Sequence, residues 1–108
     1  MKDLEKITKK YFSYFSNKDL SLLREVFDEN IELIDWNIKS FGIENVLYEF
    51  KKIFLEFNDI SIQFRNIYYL SETVICEIII QLDKLELKVV DIISFKKNKI
   101  ISINAYKQ

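Results

Sequence analysis

The spacing of hydrophobic positions changes period once along the chain. Between residues 4 and 16, Leu4, Ile7, Tyr11, Phe12 and Phe15 recur at helical spacing with lysines between them, which predicts an amphipathic helix. Asp19 stands where it can cap a second short helix carrying Leu20, Leu23, Val26 and Phe27. IELIDW, residues 31–36, reads as a short strand with Ile31, Leu33 and Asp35 on one face. Gly42 precedes a third helix whose stripe is Ile43, Val46, Leu47, Phe50, Ile53, Phe54 and Phe57. From Asp59 onward the period is two: DISIQF, TVICEIIIQL, LELKVVDIISF and KIISINAY are strands joined by polar turns at Tyr69 to Glu72, Asp83–Lys84 and Lys96 to Asn98. Helices followed by hairpin-connected strands predict an α+β domain, order ααβαββββ, with the helices on one face of a curved antiparallel sheet.

That alternation exposes an anomaly. In LELKVVDIISF, Leu85, Leu87, Val89, Asp91, Ile93 and Phe95 share one face, so a carboxylate stands in an otherwise apolar row. An ionised carboxylate removed from water without partners is costly, so such a residue is paired, locally exposed, or held protonated. Asp35 also falls on the apolar face of its strand, and Tyr11 on the apolar stripe of its helix. One phenol and two carboxyls converging without a cation on those faces would raise the carboxyl pKa values and form an acid–base site. Each residue also has a plainer structural role open to it. Tyr11 can pack as an aromatic, Asp35 can accept backbone hydrogen bonds at a turn, and Asp91 can be a hydrogen-bonded structural acid.

Composition narrows the chemistry. The 108 residues are read as one domain, 1–108, and 49% hydrophobic residues supply a single core. The 16 basic and 17 acidic residues are interspersed, for a net charge of −1, so the chain carries no electrostatic footprint for nucleic acid or an anionic membrane. No apolar run has the length of a signal peptide or a membrane span, and the expected location is cytoplasmic. With no histidine, catalytic Ser-His-Asp and Cys-His arrangements and the usual zinc sites are excluded. Acid–base work falls to Asp, Glu, Tyr or Lys, and no metal or cofactor is expected. The lone Cys76 is read as a small core residue.

The strand TVICEIIIQL is apolar on both faces, whereas a single sheet covered on one side should leave the other face wet. The outer face is therefore expected to be covered by a second copy, making a homodimer.

The order of elements, with YFSYFSNKDLSLLREVF, IELIDW, the lone glycine of FGIENV and the closing FKKNKIISINAY, resembles the SnoaL-like and ketosteroid-isomerase-like branch of the NTF2-like superfamily. The resemblance covers nearly the whole chain. It implies a conical α+β fold with a small-molecule pocket, and sheet-to-sheet dimers are common among such proteins. It also implies catalytic roles: Asp35 as a base that shuttles a proton, and Tyr11 with a neutral Asp91 as an oxyanion hole. Phe15, Leu33, Trp36, Val89, Ile93 and Ile103 would line the pocket. The implied activity is cofactor-independent, isomerase-type proton transfer on a small apolar carbonyl compound. A non-catalytic ligand-binding or association domain and a related lyase or cyclase are the alternatives. Two positions depart from the steroid isomerases. Trp36 stands where a proline follows the base, and Lys107 stands where an aromatic would face the pocket beyond Ile101, Ile103 and Ala105.

Overall fold

The first helix, α1 (Lys2–Ser16), buries Leu4, Thr8, Tyr11, Phe12 and Phe15 as its spacing requires. Thr8, the polar residue in that stripe, donates its hydroxyl to the Leu4 carbonyl at 2.7 Å, so its burial leaves nothing unpaired. The structure is a computed structural model and describes residues 2–108. Asp19 caps α2 (Leu20–Val26), its carboxylate accepting from the Leu22 amide at 3.0 Å.

Phe27 is not the last residue of that helix but the first of a strand, β1 (Phe27–Ile34). Its backbone is extended at φ −93° and ψ 141°, and one buried position fits the end of a helical stripe as well as the start of a strand. Asp35 and Trp36 also fall outside the strand, in the turn leading to β2 (Lys39–Phe41), a short partner that the sequence does not announce. At Gly42 the backbone takes φ +88°, ψ 148°, and α3 (Ile43–Glu56) begins. A Cβ there would meet nothing within 4 Å, so the glycine is required by its dihedral angles and not by space.

Four strands follow as a meander: β3 (Ile60–Leu70), β4 (Thr73–Leu82), β5 (Leu85–Lys96) and β6 (Lys99–Lys107). The turn between β5 and β6 places Lys97 and Asn98 both at positive φ, the geometry that suits the twist of a two-residue hairpin. The six strands form one curved sheet in the order β2-β1-β6-β5-β4-β3. The sheet is mixed, since β1 runs parallel to β6 while every other pairing is antiparallel. The chain leaves β2 through α3, starts again at the far edge with β3, and returns by hairpins until β6 lies beside β1. Irregularities near Arg65 in β3, near Ile101 in β6 and between Phe27 and Glu32 in β1 bend the strands into a concave surface. The bulge also turns Ile101 out of the alternation, so Ile100 and Ile103 are buried and Ile101 is only partly covered.

The helices fill that concavity with aromatic rings. Tyr11 packs against Phe12, Phe27 and Phe50 with centroids 4.7, 5.9 and 6.2 Å apart, and Phe15 lies 5.7 Å from both Phe50 and Phe54.

Candidate functional site

Beside this core the cone stays open, leaving a cavity of about 590 Å³ between the concave sheet and α1 and α3. Its long wall is one face of β5: Leu85, Leu87, Val89 and Asp91, continued on β4 by Ile80 and Leu82. The strand register ties these together, since Leu87 lies opposite Ile80 and Leu85 opposite Leu82. Facing them are Tyr11 and Phe15 of α1 and Phe50 and Ile53 of α3. The floor is Leu33, Ile103 and Ala105. The mouth carries Trp36, Glu56, Lys52 and Lys107, with the Lys107 ammonium 5.3 Å above the indole ring of Trp36.

Of the predicted site residues, Tyr11, Phe15, Leu33, Asp35, Trp36, Val89, Asp91 and Ile103 line this cavity. Ile93 does not. It lies one inward position beyond Asp91, away from the mouth, and is fully enclosed in the core. Alternation assigns a residue to a face but does not say where along the strand a cavity ends. The α3 wall and the Leu85–Leu87 segment were legible only as core, because an apolar stripe reads the same whether it meets side chains or space. Lys107, by contrast, shares the inward face of Ile103 and Ala105, so the cavity face of the sheet does carry one cation, at its rim.

The polar groups sit at one level of the cone. Asp91 pairs across the sheet with Cys76 on β4 and Ala105 on β6. Asp35 follows Ile34, which pairs with Asn104, so Asp35 stands level with Ala105 from the other side. The small Ala105 therefore separates the two acids, whose Cα atoms are roughly 10 Å apart at two strand spacings. Tyr11 and Asp91 are each only 4% exposed. Among the described residues neither the Tyr11 hydroxyl nor the Asp91 carboxyl has a hydrogen-bond partner, and no side-chain polar atom is both completely enclosed and unpaired. Both groups therefore present their oxygens to the cavity.

Asp35 is held differently. Its Oδ1 accepts from the amides of Asn37 at 2.7 Å and Ile38 at 2.6 Å, and its own amide donates to the Ile38 carbonyl at 2.9 Å. One carboxylate oxygen thus builds the turn between β1 and β2. The other is left for the cavity.

Burial, reinforced by the charge of Asp35, pushes the Asp91 carboxyl up to about 7. Burial, then Asp91, Cys76 and Asp35, holds the Tyr11 hydroxyl well above its usual range, so it remains a donor. The Cys76 thiol beside Asp91 is raised to about 12 by burial and by Asp91, which leaves it inert as a nucleophile. Among the described residues no cluster of three or more Asp, Glu or Cys side chains could hold a metal ion.

No family profile and no curated protein matches the sequence. Solved structures do match. A protein from Jannaschia Sp. CCS1, provisionally described as a SnoaL-like polyketide cyclase, superposes with a TM-score of 0.88 at 12% identity, over 99% of this chain and 86% of that one. One from Kribbella flavida DSM 17836, provisionally described as a ketosteroid isomerase, gives 0.86 at 10% identity, over 99% and 78%. An NTF-2 like protein of unknown function from Burkholderia xenovorans LB400 gives 0.83 at 13% identity, over 99% and 84%. Identities this low speak for architecture alone. With three helices against a curved six-stranded sheet, the chain has the NTF2-like fold, in the form shared with SnoaL-like and ketosteroid isomerase-like proteins.

Proposed function

We propose that the cavity carries out cofactor-independent proton transfer, of the isomerase type, on a small apolar carbonyl compound. The carbonyl oxygen lies between the Tyr11 hydroxyl and protonated Asp91. The free oxygen of Asp35 removes a proton from the carbon beside the carbonyl, the two donors stabilise the enolate, and the proton returns to a different carbon. The observation that carries this reading is that two buried groups, the Tyr11 hydroxyl and the Asp91 carboxyl, face one cavity with no hydrogen-bond partner among the described residues. Donors of this kind are worth most where water is excluded, a few kcal/mol each in the transition state.

A second reading, ligand binding without turnover, is favoured by the two amides on Asp35 Oδ1, which commit that oxygen to the turn and leave the carboxylate a single oxygen for the cavity. A lyase or cyclase step would use the same three groups. We also propose that the protein is cytoplasmic and works as a homodimer, joined through the outer face of the sheet, where Ile75, Ile79, Val90 and Ile92 stand half-covered in a single chain. Among the described residues no helix is long and apolar enough to cross a membrane.

A planar phenol mimics an enolate, because it places a partly negative oxygen on a rigid ring. Substituted phenols titrated against the protein should bind more tightly as they become more acidic. Tyr11→Phe and Asp91→Ala should each weaken them by about tenfold or more, while Asp35→Asn should not. Absence of binding below millimolar concentration, or indifference to Tyr11 and Asp91, would sink the oxyanion-hole reading.

A further inference from the structure

Proton transfer leaves a charge imbalance in the cavity unused. Its lining carries four carboxyls, Asp35, Glu49, Glu56 and Asp91, against two ammonium groups, Lys52 and Lys107. Both lysines are engaged at the exposed mouth. Lys52 pairs with Glu49 at 2.9 Å and lies over Tyr48 at 5.1 Å, while Lys107 lies over Trp36. At the deep end Asp91 faces Tyr11 from α1, Cys76 from β4, Ala105 from β6 and Asp35 from the β1–β2 turn. There is no cation among those four. The same end is walled by the rings of Tyr11, Phe15 and Phe50, mutually 5.7 to 6.5 Å apart. A nearly buried, unpartnered carboxyl, a second carboxyl close enough to act on it and a wall of aromatic rings together suit a positively charged, apolar guest.

We infer that the cavity also takes a small protonated tertiary amine, its N–H on the Asp91 carboxylate and its alkyl groups against Tyr11, Phe15 and Phe50. Asp35 adds the second negative charge. This rests on the open pocket of the proposed function but not on its reaction. The two ligand classes need opposite states of one group: an oxyanion needs Asp91 protonated, whereas an ammonium ion needs it ionised. A bound cation therefore draws the proton off Asp91, and amine binding releases protons where phenol binding does not.

The test is calorimetry on the intact protein with N,N-dimethylcyclohexylamine, and with the neutral cyclohexyl dimethyl carbinol as a control of similar shape. Amine affinity should rise by about tenfold or more from about pH 5.5 to about pH 8.5, with proton release at the acid end and no comparable rise for the carbinol. Asp91→Asn should abolish amine binding, and Asp35→Asn should weaken the amine severalfold. Amine affinity that is flat or falling with pH, or no better than the carbinol at the alkaline end, overturns the inference. Phenol binding without amine binding overturns it and leaves the proposed function standing. Amine binding without phenol binding does the reverse. Should Asp91→Asn fail to fold, the wild-type pH series and Asp35→Asn decide.

Discussion

Asp91 connects the chemistry of the pocket to the stability of the chain. Its folded-state pKa of about 7 lies above the ordinary carboxylate value of 3.8, so the folded protein holds this proton more tightly than the unfolded chain. The stability it contributes is complete below the unfolded pKa and is lost as pH rises through the folded one, on the order of 4 kcal/mol across that window. Asp91→Asn has no proton to lose. Urea unfolding should find the variant within about 1 kcal/mol of wild type near the acid end and ahead of it by about 2 kcal/mol or more above neutrality. A variant less stable by more than about 2 kcal/mol at every pH would instead mark Asp91 as a structural hydrogen-bond acceptor.

At the scale of elements, the turn between β1 and β2 places Asp35 while depending on it. Asp35→Asn keeps a side-chain oxygen for the Asn37 and Ile38 amides and should cost little stability. Asp35→Ala leaves those donors unpaired and should lower stability by about 1 to 2 kcal/mol in the same unfolding measurement. An Asn variant as damaged as the Ala variant would show that the charge, not the acceptor, holds the turn. This turn also marks where the sequence stops being legible. Alternation found Asp35 and Asp91 on inward faces because a strand's period does not depend on what lies opposite. It ran Asp35 and Trp36 into the strand because a carboxylate folding back on its own backbone leaves the hydrophobic pattern unchanged. Likewise β2 is three residues, too short to show a period, and the parallel seam of β1 with β6 is a matter of chain path. Lys107 kept its alternation, but its placement over Trp36 depends on two segments meeting in space.

For the whole molecule, the outer sheet face mixes half-covered isoleucines and valine with Glu77, whose carboxylate accepts from Tyr68 at 2.9 Å and Asn66 at 3.2 Å. If that face joins two copies, sedimentation velocity at micromolar concentration should show a dimer that Ile79→Lys converts to monomer, with phenol binding preserved. A wild type already monomeric would remove the proposed interface. The parallel seam has a consequence in time as well as in space. The meander β3 to β6 needs only hairpins between neighbours, whereas β1 can join β6 only after the chain has closed a loop from Phe27 to Ile100. Pairings of such long sequence separation are entropically slow, so the meander is poised to form early and the seam late. Asp91 belongs to the early side, and Asp35, at the end of β1, to the side that joins last. A half-assembled chain thus lacks one wall of its pocket, and a guest held between Asp91 and Asp35 acts as a latch across the seam, slowing its reopening.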